Sequence, residues 1–146
     1  MTVLPAAAGR EDLRRVWQQA WQKAQAGQLL TPLEALLEGV LRLHPEYHAA
    51  LLQDDALARD WRPEGGESNP FLNMGLHVAL REGLAADRPA GIAALALRLT
   101  HDSGDRHAAE HRLMDCLAET LWEAERNGMP PDESAFLERA RRLAGR

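Results

Sequence analysis

The chain reads as all-α: a compact bundle of about six to seven helices in one domain spanning residues 1–146. Three observations carry that reading. Apolar residues recur at spacings of three and four in nearly every segment, residues that start and stop helices punctuate the chain, and no stretch alternates apolar with polar as a half-buried strand requires. At 146 residues and 45% hydrophobic content, the chain is long enough to bury one core and too short to suggest two.

The first helix is expected from Arg10–Asp12 to about Ala26, with Leu13, Val16, Trp17, Ala20 and Trp21 on one face and Gly27 as its stop. Trp17 and Trp21, four apart, are core or interface residues. Thr31, Pro32 and Glu34 mark the firmest boundary: a capping hydroxyl, a proline whose missing N–H costs nothing at the first position, and a carboxylate able to reach back. The second helix carries Leu33, Leu36, Leu37, Val40, Leu41 and Leu43, and Pro45 predicts a break at His44. A third helix is expected from Pro45 to about Trp61, followed by an exposed, mobile loop at Arg62–Ser68, which holds Pro63, Gly65 and Gly66.

Asn69 and Pro70 start a fourth helix, Phe71 to about Ala86, whose apolar residues face nearly every side and so predict burial. Gly75 and Gly83 within it suggest close helix contact. After Asp87-Arg88-Pro89 a short helix, Ala90 to about Thr100, leads to a turn at His101–Asp105, where Asp105 caps the long helix Arg106–Asn127. Asn127, Gly128, Pro130 and Pro131 end that helix, and Asp132 caps a last one to about Ala144.

Charge and cysteine content narrow the function classes. A net charge of −5, from 22 acidic and 17 basic residues, opposes general nucleic-acid binding, which needs clustered Lys and Arg. The one basic cluster, Arg139, Arg141, Arg142 and Arg146, reads as a solvated helix end. A single cysteine, Cys116, excludes a disulfide within the chain and a metal site made of cysteines alone. The start MTVLPAAAGREDLRR lacks the pattern of a signal peptide, and no apolar run approaches the ~20 residues of a membrane span, so a cytoplasmic address without membrane association is expected.

The anomaly lies in polar residues on faces that should be apolar. On the long helix Glu110 falls inside the stripe Leu113, Met114, Leu117, Ala118 and Leu121, with His107 on the same face and His111 at its edge. A buried carboxylate demands a cation, a donor network or a metal, because leaving it unpaired costs several kcal/mol. His107 and His111, one turn apart, can converge on one ion. The string HAAEH also matches the inverted zinc-protease pattern, in which the glutamate is the general base, but alone it is a weak signal without a third ligand or a cleft. His48 lies between Leu51 and Leu52, four residues after His44, and His77 shares a stripe with Asn73, Leu80 and Leu84. His101, in a polar turn, reads as solvated.

Helical bundles build iron and zinc sites from side chains on facing helices. The leading expectation is therefore a metal centre of iron or zinc formed by His48, His77, His107, Glu110 and His111, with His44 as an auxiliary ligand. The histidine pairs spaced by four are similar to those of hemerythrin, though the ligand order differs, and no Glu-x-x-His pair of the ferritin-like carboxylate type occurs. The alternative is a non-catalytic interaction module: the same residues form a satisfied buried network, and an exposed face of the first or last helix binds a protein partner or a second copy of the chain. A small enzyme with Glu110 as general base would need a cleft that the sequence does not reveal, and no reaction is named by any motif.

HPEYH (44–48), NPFLNMGLHVALRE (69–82), DRPAGI (87–92) and AAEHRLMDCLAETLWEAERNG (108–128) together resemble a bacterial family catalogued as a domain of unknown function, number eighteen forty-one. The resemblance spans most of the chain. It implies a compact helical domain with no assigned activity, and a histidine at the position of Asn73, which would pair with His77 one turn on. Here that pair is incomplete, and one strong ligand is missing from any metal site the family holds.

Overall fold

The computed structural model describes residues 9–59, 61 and 69–145; the loop expected at Arg62–Ser68 lies outside the described residues. The described chain is all-helical, with α1 at Arg10–Gln25, α2 at Pro32–Leu43, α3 at His48–Leu51, α4 at Pro70–Ala86, α5 at Ile92–Ser103, α6 at Arg106–Asn127 and α7 at Glu133–Ala144. A single 3-10 turn, Pro45–Tyr47, precedes α3. No strand occurs among the described residues. None of their helices is long and apolar enough to cross a membrane. The helices gather into two compact units, 1–78 and 79–146, and the division falls within α4.

In the first unit α1 packs on α2. Trp17, Ala20, Leu37, Val40, Leu41, Leu51, Ala56, Phe71, Met74 and Val78 form its buried core. The expected capping box opens α2: Thr31 Oγ1 accepts from the Glu34 N–H at 3.2 Å while Glu34 Oε1 accepts from the Thr31 N–H at 2.9 Å. Lys23 of α1 donates to both oxygens of the same carboxylate at 2.9 Å, joining the two helices.

The third helix departs from expectation, for α3 is one turn long and residues after Leu51 pass into a series of turns. Side chains of α1 take the carbonyls that a continuing helix would have used. Arg14 donates to Ala56, Leu57 and Arg59 carbonyls at 3.1, 3.2 and 2.7 Å, and Gln18 donates to the Leu51 carbonyl at 2.9 Å. Arg14 is itself buried, its guanidinium 5.1 Å from the Trp61 ring centre and 4.9 Å from that of Phe71. Charged hydrogen bonds and two aromatic faces offset the desolvation of the arginine.

In the second unit α5, α6 and α7 pack on one another. Leu80, Ile92, Leu99, Leu113, Met114, Phe136 and Ala140 are among its buried residues. The expected fifth helix begins two residues later, where the Asp87 carboxylate accepts from the N–H groups of Gly91 and Ala93, and runs three residues further, to a stop at the left-handed Gly104. Asp105 and Asp132 cap α6 and α7 as their positions predict. Gly83 is needed for a close approach: a Cβ there would stand 2.9 Å from the Arg88 carbonyl oxygen. That neighbour is a turn, not another helix, and at Gly75 an added Cβ meets nothing within 4 Å. The expectation of close helix contact at these glycines is corrected accordingly. A second correction concerns α4, which is not buried all round, since Leu72 is 60% exposed.

Candidate functional site

The break at His44 is the feature that places its ring. Pro45 disfavours helical geometry at the preceding residue, and His44 takes φ −125°, ψ 61°, with its N–H still bonded to the Leu41 carbonyl at 3.0 Å. The imidazole turns inward and is 1% exposed. His44 Nδ1 lies 2.8 Å from Glu46 Oε1, and His44 Nε2 lies 3.0 Å from Nδ1 of the fully buried His77. An ionised carboxylate only accepts, so His44 Nδ1 carries a proton, and in the neutral imidazole Nε2 presents a lone pair to which His77 Nδ1–H donates.

Two further side chains steady this pair. Tyr47 stacks on the His44 ring at 5.3 Å between centres, and its hydroxyl accepts from Asn73 Nδ2 at 2.9 Å. Asn73 sits one turn before His77 on α4, so a single helix supplies both the histidine and the amide that fixes the stacking tyrosine. His48, by contrast, is held by the backbone. Its Nε2–H donates to the Leu41 carbonyl at 2.6 Å, and its ring packs against Trp21 at 4.2 Å.

In the second unit Glu110 is buried at 2% exposure, as its place in the α6 stripe predicts, and both of its oxygens are engaged by arginine. Arg81 Nε donates to Oε1 at 3.1 Å and Arg106 Nε donates to Oε2 at 2.7 Å. This double pairing is the compensation that the buried carboxylate requires. The half-buried rings of His107 and His111 lie 4.3 Å apart on the same helix, tilted by 56°. His101 lies in the last turn of α5 and is exposed.

Several partners were not singled out by sequence reasoning. Arg106 stands four residues before Glu110, a spacing that pairs charges on a helix, so that signal was present, whereas Arg81 reaches Glu110 across 29 residues and no spacing announces it. Glu46 is two residues past His44 across the break, where no helical spacing applies. Arg139 also departs from its expected solvated role. Its side chain, 16% exposed, pairs with Glu123 at 2.6 Å and Glu119 at 3.5 Å and donates to Thr120 Oγ1 at 2.8 Å. Burial, followed by the nearby Asp115 and Glu119 charges, pushes the Cys116 thiol above its ordinary range.

Together these features define an all-helical protein with polar residues enclosed at specified positions in each unit. The family model described as "Domain of unknown function (DUF1841)" matches residues 9–142, and the chain belongs to that family. No curated protein and no solved structure matches it.

Proposed function

We propose that the protein binds a transition metal, zinc or iron, through His44 Nε2 and His77 Nδ1. The observation that carries the reading is the buried nitrogen pair at 3.0 Å with a carboxylate behind His44 at 2.8 Å. Two imidazole ligands on a tetrahedral zinc, each at ~2.0–2.1 Å, stand about 3.3 Å apart, so a small opening of the pair admits an ion in place of the shared proton. Glu46 would act as the outer carboxylate that fixes ring orientation and raises ligand basicity, a recurrent partner of metal-bound histidine. Nitrogen donors of this type suit zinc or iron. Two donors leave positions for water or for further histidines, and in this reading Glu110 stays with its arginines while His48 stays with the backbone.

The deciding measurement is the metal content of protein purified without chelator, together with zinc affinity by competition. Near-stoichiometric metal that is lost in both His44→Ala and His77→Ala supports the site, and Glu46→Gln should weaken binding by about 10- to 100-fold. The same assay on His107→Ala and His111→Ala identifies any additional donors. Trace metal that neither His44→Ala nor His77→Ala alters would overturn the proposal. A second reading, the non-catalytic module with a structural polar network, draws support from the double arginine pairing of Glu110. It predicts stable, metal-free protein that unfolds more easily when these residues are removed.

A further inference from the structure

The second unit contains a cavity of about 440 Å³ whose lining combines apolar residues, Leu84 and Leu97 among them, with Arg81, Arg106 and Glu110. A size of this order falls in the range of small-molecule sites, as does the combination of a greasy wall with a few convergent polar groups. The charges in this lining do not balance. Two guanidiniums meet one carboxylate, which leaves one positive charge in excess. Each arginine commits only its Nε–H to Glu110, and among the described residues the terminal nitrogens of Arg81 and Arg106 donate in no hydrogen bond. A guanidinium with free terminal N–H groups is matched to a planar carboxylate, which it can hold by two parallel bonds. Leu97, in the cavity wall, is 73% exposed and so open to a ligand.

We infer that this cavity binds an amphipathic monocarboxylate, its anionic head on Arg81 and Arg106 and its hydrocarbon body along Leu84 and Leu97. Glu110 then has a defined part. It anchors both guanidiniums through Nε while leaving their outer edges to the ligand, and it reduces the local charge to one that a single carboxylate neutralises. The occupant is identified by this charge complementarity: a neutral hydrocarbon would leave the excess charge unmatched, and a small hydrated anion would leave the leucine wall wet. None of these residues belongs to the His44–His77 pair, so the inference stands or falls apart from the metal reading.

The test is calorimetric titration of the full chain with decanoate, decanol and acetate at neutral pH. Decanoate should saturate one site at least tenfold more tightly than either of the others, with each methylene along the wall contributing about fourfold. Arg106→Gln, at a side chain that is 67% exposed and so tolerated by the fold, should weaken decanoate about tenfold and leave decanol unchanged. Leu97→Glu, also at an exposed position, should weaken decanoate by at least as much, through lost contact and added negative charge. No saturable decanoate binding up to about 1 mM overturns the inference. So does equal affinity for decanol, which would mark a greasy cavity without anion recognition, or unaltered binding in either folded variant.

Discussion

At the scale of single residues, the chemistry of this protein turns on how each buried charge or imidazole is answered. Two arginines answer Glu110, and they are not equivalent. The Arg81 side chain is 21% exposed and reaches Glu110 from α4, whereas Arg106 is 67% exposed and pairs within α6 at a spacing of four. A pair in high dielectric contributes little, while removing an enclosed partner leaves a charge without compensation. Arg81→Met should therefore lower stability by about 2–3 kcal/mol and Arg106→Met by less than about 1 kcal/mol, measured by urea unfolding. Equal losses would mean that the two bonds share the carboxylate evenly. The same accounting gives Asn73 a purpose of its own: its amide holds the Tyr47 hydroxyl, and the tyrosine stacks on His44.

At the scale of elements, helix ends carry much of the local specification. The start of α2 concentrates three hydrogen bonds on one carboxylate, since Glu34 accepts from the Thr31 backbone N–H and, at both oxygens, from Lys23. The backbone bond first, and Lys23 second, hold its pKa below the ordinary 4.5. A carboxyl group whose folded value is depressed adds stability that is complete above its unfolded value and is lost as the pH falls through the folded one. Glu34→Gln retains a side chain able to cap but loses the charge. The wild type should exceed this variant in urea midpoint near neutral pH, and the gap should close as the pH falls through the depressed folded value. A gap that persists unchanged in acid would show that packing, not ionisation, distinguishes the two side chains. The brevity of α3 belongs to the same scale, for there the helix yields to Arg14 and Gln18, which draw the following carbonyls toward α1.

At the scale of the whole molecule, the helical class was legible because it rests on local signals: Thr31 with Pro32 and Glu34, Asp105, Asp132, and the apolar spacing between them. The burial of His77 and Glu110 was legible for the same reason, since a stripe position is a local property. Of what answers those groups only Arg106, four residues before Glu110, was legible, because Arg81 meets Glu110 across 29 residues and His44 meets His77 across 33, separations that no periodicity encodes. Arg14 was hidden for the converse reason: a cation beside apolar residues on an amphipathic helix reads as solvated until aromatic rings and free carbonyls close over it. The proposed metal centre extends this logic to folding as a whole. A ligand that binds only the native state stabilises it by an amount set by its concentration over its dissociation constant, about 2.7 kcal/mol at a hundredfold excess. For a chain of this length that corresponds to a rise in melting temperature of roughly 5–10 °C. Zinc added to metal-stripped protein should produce such a rise, graded with concentration, and His77→Ala should melt at one temperature whether zinc is present or not. A zinc-induced rise of the same size in His77→Ala would place the metal elsewhere in the chain.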